Sequence, residues 1–261
     1  MNDRHTTSIA QRLDRLLARG VGPVHAHRFG HDGVSDGDAG APMGDVLEAV
    51  RDRAREVHQR LSHDNDVFAV ELMGATGSGK TALVQRVVER LPASERTAVV
   101  AGDVAGADDA ERYRESGVPA VDVTTGKDCH LDPERVETAL ADLPVAELDT
   151  LFVENVGNMV CPADFPLGTH CRVVVVSVTE GEDVVRKHPL LFQAADLAVI
   201  NKVDIADAVG TDVDRMVADL AEVAPSIPVV RTSARTRAGI ERLVGELDAH
   251  RTDSHAHEHE H

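Results

Sequence analysis

Eight residues constrain the architecture of this chain more than any others: the loop Gly74-Ala-Thr-Gly-Ser-Gly-Lys-Thr81. It follows an apolar run at 67–73 and opens a helical stretch at 79–91. That strand–loop–helix context is the one in which a glycine-rich loop wraps phosphate. Gly74, Gly77 and Gly79 let the backbone curl until its N–H groups point inward, between Ala75, Thr76 and Ser78. The helix N-terminus adds favourable partial charge. Lys80 then neutralises the β- and γ-phosphates, and the Thr81 hydroxyl ligates Mg²⁺.

The surrounding pattern agrees with such a loop. Apolar strand candidates lie near 67–73, 97–102, 119–123, 150–156, 172–178, 196–200 and 228–232. Helical stretches lie near 79–91, 107–117, 132–142, 206–223 and 238–250, after a helix from about Asp45 to His63. Runs such as Arg172-Val-Val-Val-Val-Ser-Val178 are apolar on both faces. They predict an α/β fold, a mostly parallel sheet with helices on both faces, of the P-loop NTPase G-domain type. Ahead of it, residues 6–19 pattern as a short amphipathic helix. Residues 20–44 carry seven glycines, a composition that predicts a linker. The expected organisation is 1–44 as helix and linker, 45–251 as the nucleotide domain with a metal site, and 252–261 as a His-rich tail.

Asn201-Lys-Val-Asp204 follows the strand candidate at 196–200 and selects the base. The Asp204 carboxylate can accept from both N1–H and the 2-amino group of guanine, donors that adenine does not present. Asn201 can reach the N7 edge, and the Lys202 stem can cover the ring. Ser233-Ala234, after the last strand, can present backbone N–H to the guanine carbonyl. GTP/GDP is therefore the expected ligand. Glu154, closing the strand at Leu151-Phe-Val-Glu154, and Asp103, closing an earlier one, are candidates for the Mg²⁺ shell with Thr81. Gly157 stands where an N–H can sense the γ-phosphate.

The net charge is −18, with 27 Lys and Arg against 45 Asp and Glu. A nucleic-acid partner, which needs clustered cations, is not expected. Only 4 of the basic residues are Lys and 23 are Arg. This balance suggests a surface suited to high salt, though a coding bias toward Arg gives the same count. No apolar run reaches the length of a membrane span, and the polar N-terminus does not resemble a signal peptide, so a cytoplasmic location without membrane contact is expected.

Three cysteines are too few for a disulfide framework. Cys171 precedes an apolar strand and reads as an inert buried residue. Cys129-His130 and Cys161 lie instead in loops leaving the carboxyl ends of strands, where open α/β sheets bind ligands. Thiolate with imidazole suits Ni²⁺ or Zn²⁺. Cys161 lies four residues beyond Gly157, so a loop that follows the γ-phosphate would drag a metal ligand with it. Three protein ligands leave a tetrahedral site incomplete, which a water or a second chain could fill.

At these residues the chain resembles the hydrogenase nickel-incorporation GTPases, the HypB family. The carriers are Gly77-Ser-Gly-Lys-Thr81, Gly102-Asp-Val104, Gly126-Lys127 with Cys129-His-Leu-Asp132, Glu154-Asn-Val-Gly-Asn158 with Val160-Cys-Pro162, Ser177-Val-Thr-Glu-Gly181 and Asn201-Lys-Val-Asp204. The resemblance covers about 65–250. It implies a GTPase metallochaperone that forms a GTP- and metal-dependent homodimer and works with a HypA-type nickel chaperone. Its client would be the NiFe hydrogenase large-subunit precursor. It also implies Cys129, His130 and Cys161 as the G-domain metal ligands. The chain departs from the family in lacking any cysteine before Cys129, in Asp128 where Gly is usual, and in Glu134 where some relatives place a further His. His25, His27 and His31, and His255, His257, His259 and His261, are candidates for loose nickel storage. A nickel buffer with incidental GTPase activity, or a urease accessory GTPase, are the competing readings. The latter is weak because Ala163, not His, follows Cys161-Pro162.

Overall fold

The computed structural model describes residues 43–258 apart from Ala105, without the side chains of 43–46 and 255–258. The expected helix at 6–19, the linker histidines, His259 and His261 lie outside the described residues, as do the side chains of His255 and His257.

After α1 (Met43–Ser62) come β1 (Phe68–Met73), α2 (Lys80–Val88), β2 (Thr97–Asp103), α3 (Asp108–Glu115), β3 (Ala120–Thr124) and α4 (Pro133–Leu140). Then follow β4 (Thr150–Glu154), β5 (Cys171–Ser177), α5 (Val184–Lys187), α6 (Pro189–Gln193), β6 (Leu197–Asn201), α7 (Ala206–Val209), α8 (Val213–Val223), β7 (Val229–Arg231) and α9 (Ile240–Glu258). The strands form one sheet in the order β3-β2-β4-β1-β5-β6-β7, every pair parallel. The expected mostly parallel sheet is present with all seven strands.

Period-two alternation sends side chains to two layers. Phe68, Val70 and Leu72 pack with Leu83, Val84 and Val87 of α2, Tyr113 of α3 and Leu243 of α9. Ala69 turns the other way, toward Val57 and Leu61 of α1 and Val136 and Leu140 of α4. Met73 and Val174 complete that second face against Phe192 and Leu220 of α6 and α8. Each fully buried Leu or Val in this scheme contributes roughly 1.5–3 kcal/mol.

Three boundaries differ from expectation. The single helix expected at 206–223 is two, because Gly210 at φ +70° ends α7 in the left-handed conformation and Asp212 caps α8. The short α5 and α6, split by Pro189, have no counterpart in the sequence reading. Finally, α9 does not stop near 250 but continues through Glu258. Arg251 ties it down, lying over the Phe68 ring at 5.2 Å and pairing with Glu95, and Ser254 is buried. The segment expected as tail from 252 thus begins as helix.

Candidate nucleotide and metal site

The phosphate loop joins β1 to α2 at the centre of the sheet. Gly74 holds φ +142°, and a Cβ there would stand 2.1 Å from the Val175 carbonyl, so no side chain is admitted where loop and β5 cross. Ser78 Oγ is buried with no partner, a polar atom left over in the loop. Lys80 is buried at the head of α2 and donates to the Gly74 and Ala75 carbonyls at 3.2 and 3.3 Å. Burial lowers its basicity, while Glu154, Asp109, Glu180 and Asp103 pull it back up. A cation encircled by carboxylates at a phosphate loop is the electrostatic setting a polyphosphate would share.

Thr81 Oγ1 lies 2.9 Å from Glu154 Oε1 and 3.0 Å from Asp109 Oδ1. One hydroxyl proton cannot serve two carboxylates, and this hard-oxygen set suits Mg²⁺. Glu154 is buried, which raises its pKa against the opposing pull of Lys80. Its second oxygen accepts from Tyr113 OH at 2.6 Å. Asp109 and Tyr113, both on α3, were missed by sequence reasoning. The Asp108-Asp109 pair reads as an ordinary acidic first turn, and nothing local marks its aim. Asp103 ends β2 as expected, but its carboxylate accepts from the Val104 N–H and not from Thr81.

The base-selecting loop grips the phosphate loop directly. Asn201 is buried and donates to Ser78 O at 3.0 Å, and Lys202, at φ +62°, donates to Gly77 O at 2.6 Å. Asn201 Oδ1 accepts from Thr232 Oγ1 at 3.1 Å and from the Ala234 N–H at 3.3 Å. The Ala234 N–H expected to face a base carbonyl is therefore held by Asn201, and the Ser233 N–H goes to Ala238 O. Ser233 and Arg235 hold Asp204 as carboxylate, below its usual pKa. Arg235 reaches it at 2.7 Å.

The second loop of interest is pressed onto the first. A Cβ at Gly157 would stand 2.0 Å from Thr76 Oγ1, 2.7 Å from its N and 2.8 Å from its Cα. Thr76 Oγ1 donates to Gly157 O at 3.4 Å, and Gly74 bridges Asn158. Asn158 Oδ1 accepts from the Val160 N–H at 2.7 Å and so shapes the turn into Cys161.

Cys129, His130 and Cys161 converge, their ligand atoms within 4.8 Å of one another. The local sequence arranges this. Leu131 is fully buried, and Asp132 caps α4 by accepting from the Arg135 N–H at 2.9 Å, with Pro133 in the first turn. Those two anchors fix the chain just past Cys129-His130. His130 stacks on Phe165 at 4.1 Å, and burial lowers its basicity, which favours the neutral ring a metal needs. The sulfurs of Cys129 and Cys161 lie 2.7 Å apart without a disulfide. Two thiolates and an imidazole so gathered would suit one tetrahedral ion. Burial and Cys129 push the Cys161 thiol up to about 11. Asp128 is drawn to Arg135 at 2.6 Å, and Glu134 is exposed on α4 outside the cluster. Cys171 is buried in the core. Among the described residues no helix is long and apolar enough to cross a membrane.

The nucleotide-binding domain of the CobW/HypB/UreG family matches residues 68–231. A Methanocaldococcus jannaschii protein described as "Probable hydrogenase maturation factor HypB" is 46% identical over 200 residues, covering 77% of this chain and 90% of that one. The crystal structure of a hydrogenase maturation factor HypB from Archaeoglobus fulgidus is similar at 42% identity and a TM-score of 0.72, over 77% of this chain and 98% of that one. HypB from Helicobacter pylori, solved in complex with nickel, is similar at 30% identity and a TM-score of 0.74, over 78% and 96%.

Proposed function

The chain belongs to the CobW/HypB/UreG family, on its HypB branch, and from that premise we propose that it is a GTP-hydrolysing nickel metallochaperone for NiFe hydrogenase. One observation carries the reading: the segment that bears Cys161 is seated on the phosphate loop through Gly157–Thr76 and Asn158–Gly74. Whatever moves Thr76 when the terminal phosphate leaves also moves the sulfur four residues beyond Gly157.

In this reading Lys80 and the loop N–H groups hold the β- and γ-phosphates, and Asn201, Lys202 and Asp204 hold guanine. Thr81, Glu154 and Asp109, with Asp103 nearby, are the residues that would hold Mg²⁺, which supplies charge neutralisation at the transferring phosphoryl group. Tyr113 fixes the Glu154 carboxylate. Hydrolysis by the isolated chain is slow, since no described side chain is an evident positioner of the attacking water. Nickel is the cargo, with Zn²⁺ as a competitor for the same thiolates. Cys129, His130 and Cys161 give three ligands, and a water or a second copy of the chain, in a GTP-dependent homodimer, supplies what is missing. The further partners are a HypA-type nickel chaperone and the hydrogenase large-subunit precursor, in the cytoplasm.

The test is complementation of a strain lacking its own HypB. The natural chain restores nickel-dependent hydrogenase activity, while Lys80→Ala and Cys161→Ser do not. Full restoration by Lys80→Ala would favour a nickel buffer over a nucleotide-gated chaperone.

A further inference from the structure

Glu71 and Arg172 are charged residues in the two strands at the centre of the sheet. They face one another in register across β1 and β5. Glu71 is fully buried and Arg172 nearly so. They share a face with Ala69 and Met73, between the apolar cluster under α1 and α4 and the one under α5, α6 and α8. Apolar residues would fill this seam at least as stably, because an ion pair here must repay the desolvation of both charges. What distinguishes the pair is where its remaining hydrogen bonds go.

Arg172 Nε donates to Glu71 Oε2 at 3.0 Å, and Nη1 donates to the Ala194 carbonyl at 3.2 Å. Its Nη2 donates to the carbonyl of Pro162, the residue after Cys161. Glu71 Oε1 accepts from Asn155 Nδ2 at 2.8 Å. Asn155, itself buried two residues before Gly157, accepts through Oδ1 from the Leu131 N–H at 2.9 Å. Leu131 directly follows Cys129-His130. Both loops of the Cys/His cluster therefore end on one buried network, whose centre lies three residues before the phosphate loop.

We propose that Arg172, Glu71 and Asn155 form a positioning unit that sets the separation of the Cys129-His130 and Cys161 loops and hence the affinity for nickel. The proposal rests on the assignment of Cys129, His130 and Cys161 as nickel ligands. Arg172 fixes the Cys161 loop from one side and Asn155 the Cys129 loop from the other, with Glu71 joining them. None of the three touches the metal. Groups hydrogen-bonded to ligating side chains change metal affinity by about 10- to 100-fold when lost, and these bonds hold the backbone directly beside the ligands to the same effect.

The test titrates Ni²⁺ into the full chain and follows the thiolate-to-nickel charge-transfer absorption, with GDP affinity measured in parallel. Two variants are used: Arg172→Lys, which keeps the charge but cannot fork to Pro162 and Ala194, and Glu71→Leu/Arg172→Met, which removes both charges and keeps volume. The expected result is nickel binding weakened roughly 10- to 100-fold and a shifted charge-transfer band, with GDP affinity within about twofold. Unchanged nickel affinity in whichever variant retains GDP binding would overturn the proposal. Equal losses of nickel and GDP affinity in both variants would reduce the network to core packing and also overturn it. Cys161→Ser separates the two levels. If it too leaves nickel affinity untouched, the ligand assignment itself fails. If it abolishes binding while the network variants do not, only the positioning role falls.

Discussion

Replacing Gly157 by Ala tests the joint between nucleotide and metal with a single methyl group. The added Cβ would lie 2.0 Å from Thr76 Oγ1, which can rotate away. It would also lie 2.7 Å from Thr76 N and 2.8 Å from Thr76 Cα, which cannot. Ordinary contact begins at 3.4 Å, so the two loops must separate by about 0.7 Å. The strands behind them are held by complete parallel ladders on both sides and will not yield. The displacement therefore falls on the phosphate loop or on the 157–161 segment. Misplacement of about 1 Å in a site that works by positioning costs on the order of 100-fold. We expect GTP turnover, followed by phosphate release, to fall roughly 10- to 100-fold, with GDP affinity less affected because Asn201 and Lys202 hold the loop at Ser78 and Gly77, beyond Thr76. Nickel affinity in the variant becomes the same with GDP and with a non-hydrolysable GTP analogue. A variant with natural turnover and natural nucleotide dependence would refute the claim that these loops work in contact.

Other expectations follow from the same geometry. Lys80→Ala abolishes hydrolysis, and unchanged phosphate release would dismiss the phosphate-loop assignment. Asp109→Asn raises the Mg²⁺ concentration needed for half-maximal turnover at least several-fold, whereas Asp103→Asn has the smaller effect; the reverse order would restore Asp103 as the main carboxylate on Thr81. Asp204→Asn weakens GDP binding by about 100-fold while leaving the melting temperature near that of the natural chain, since two charge-assisted bonds to the base are lost; calorimetry decides it. Arg96 clamps Asp149 through its backbone and side chain and lowers the Asp149 pKa to about 2. A depressed carboxylate stabilises the fold above its unfolded pKa and loses that contribution as pH falls through the folded one. The stability gap between the natural chain and Asp149→Asn should therefore shrink from pH 4 to pH 2 in urea unfolding; a gap that widens there would contradict the assignment.

The sheet was legible in the sequence because its strands are continuous apolar runs between turn residues, and that pattern needs no tertiary information. The two candidate nucleotide loops were legible because their residue types, at strand ends, are those such a ligand would need. Asn201, for instance, lies at a strand end after a phosphate loop. The Cys/His cluster could be proposed from strand-end position, but its closure depended on where two loops, their cysteines 32 residues apart, would meet. Asp109 and Tyr113 were not legible, since their approach to Thr81 and Glu154 comes from how α3 packs on β2, β3 and α2. Glu71 and Arg172 left a faint trace that went unused: a lone charge in each of two strands otherwise fit for a core. Such a charge requires a partner, and two in one sheet invite pairing. The split at Gly210 was readable from a glycine inside a helical pattern, and the continuation of α9 was not, because Arg251 finds its partners on elements far away in sequence.

The most direct measurement is nickel affinity of the natural chain, read from thiolate charge-transfer absorption, with GDP bound and with a non-hydrolysable GTP analogue bound. Seating of the Cys161 segment on the phosphate loop predicts that the two dissociation constants differ by about tenfold or more. Equal constants, with both nucleotides shown to be bound, would contradict it.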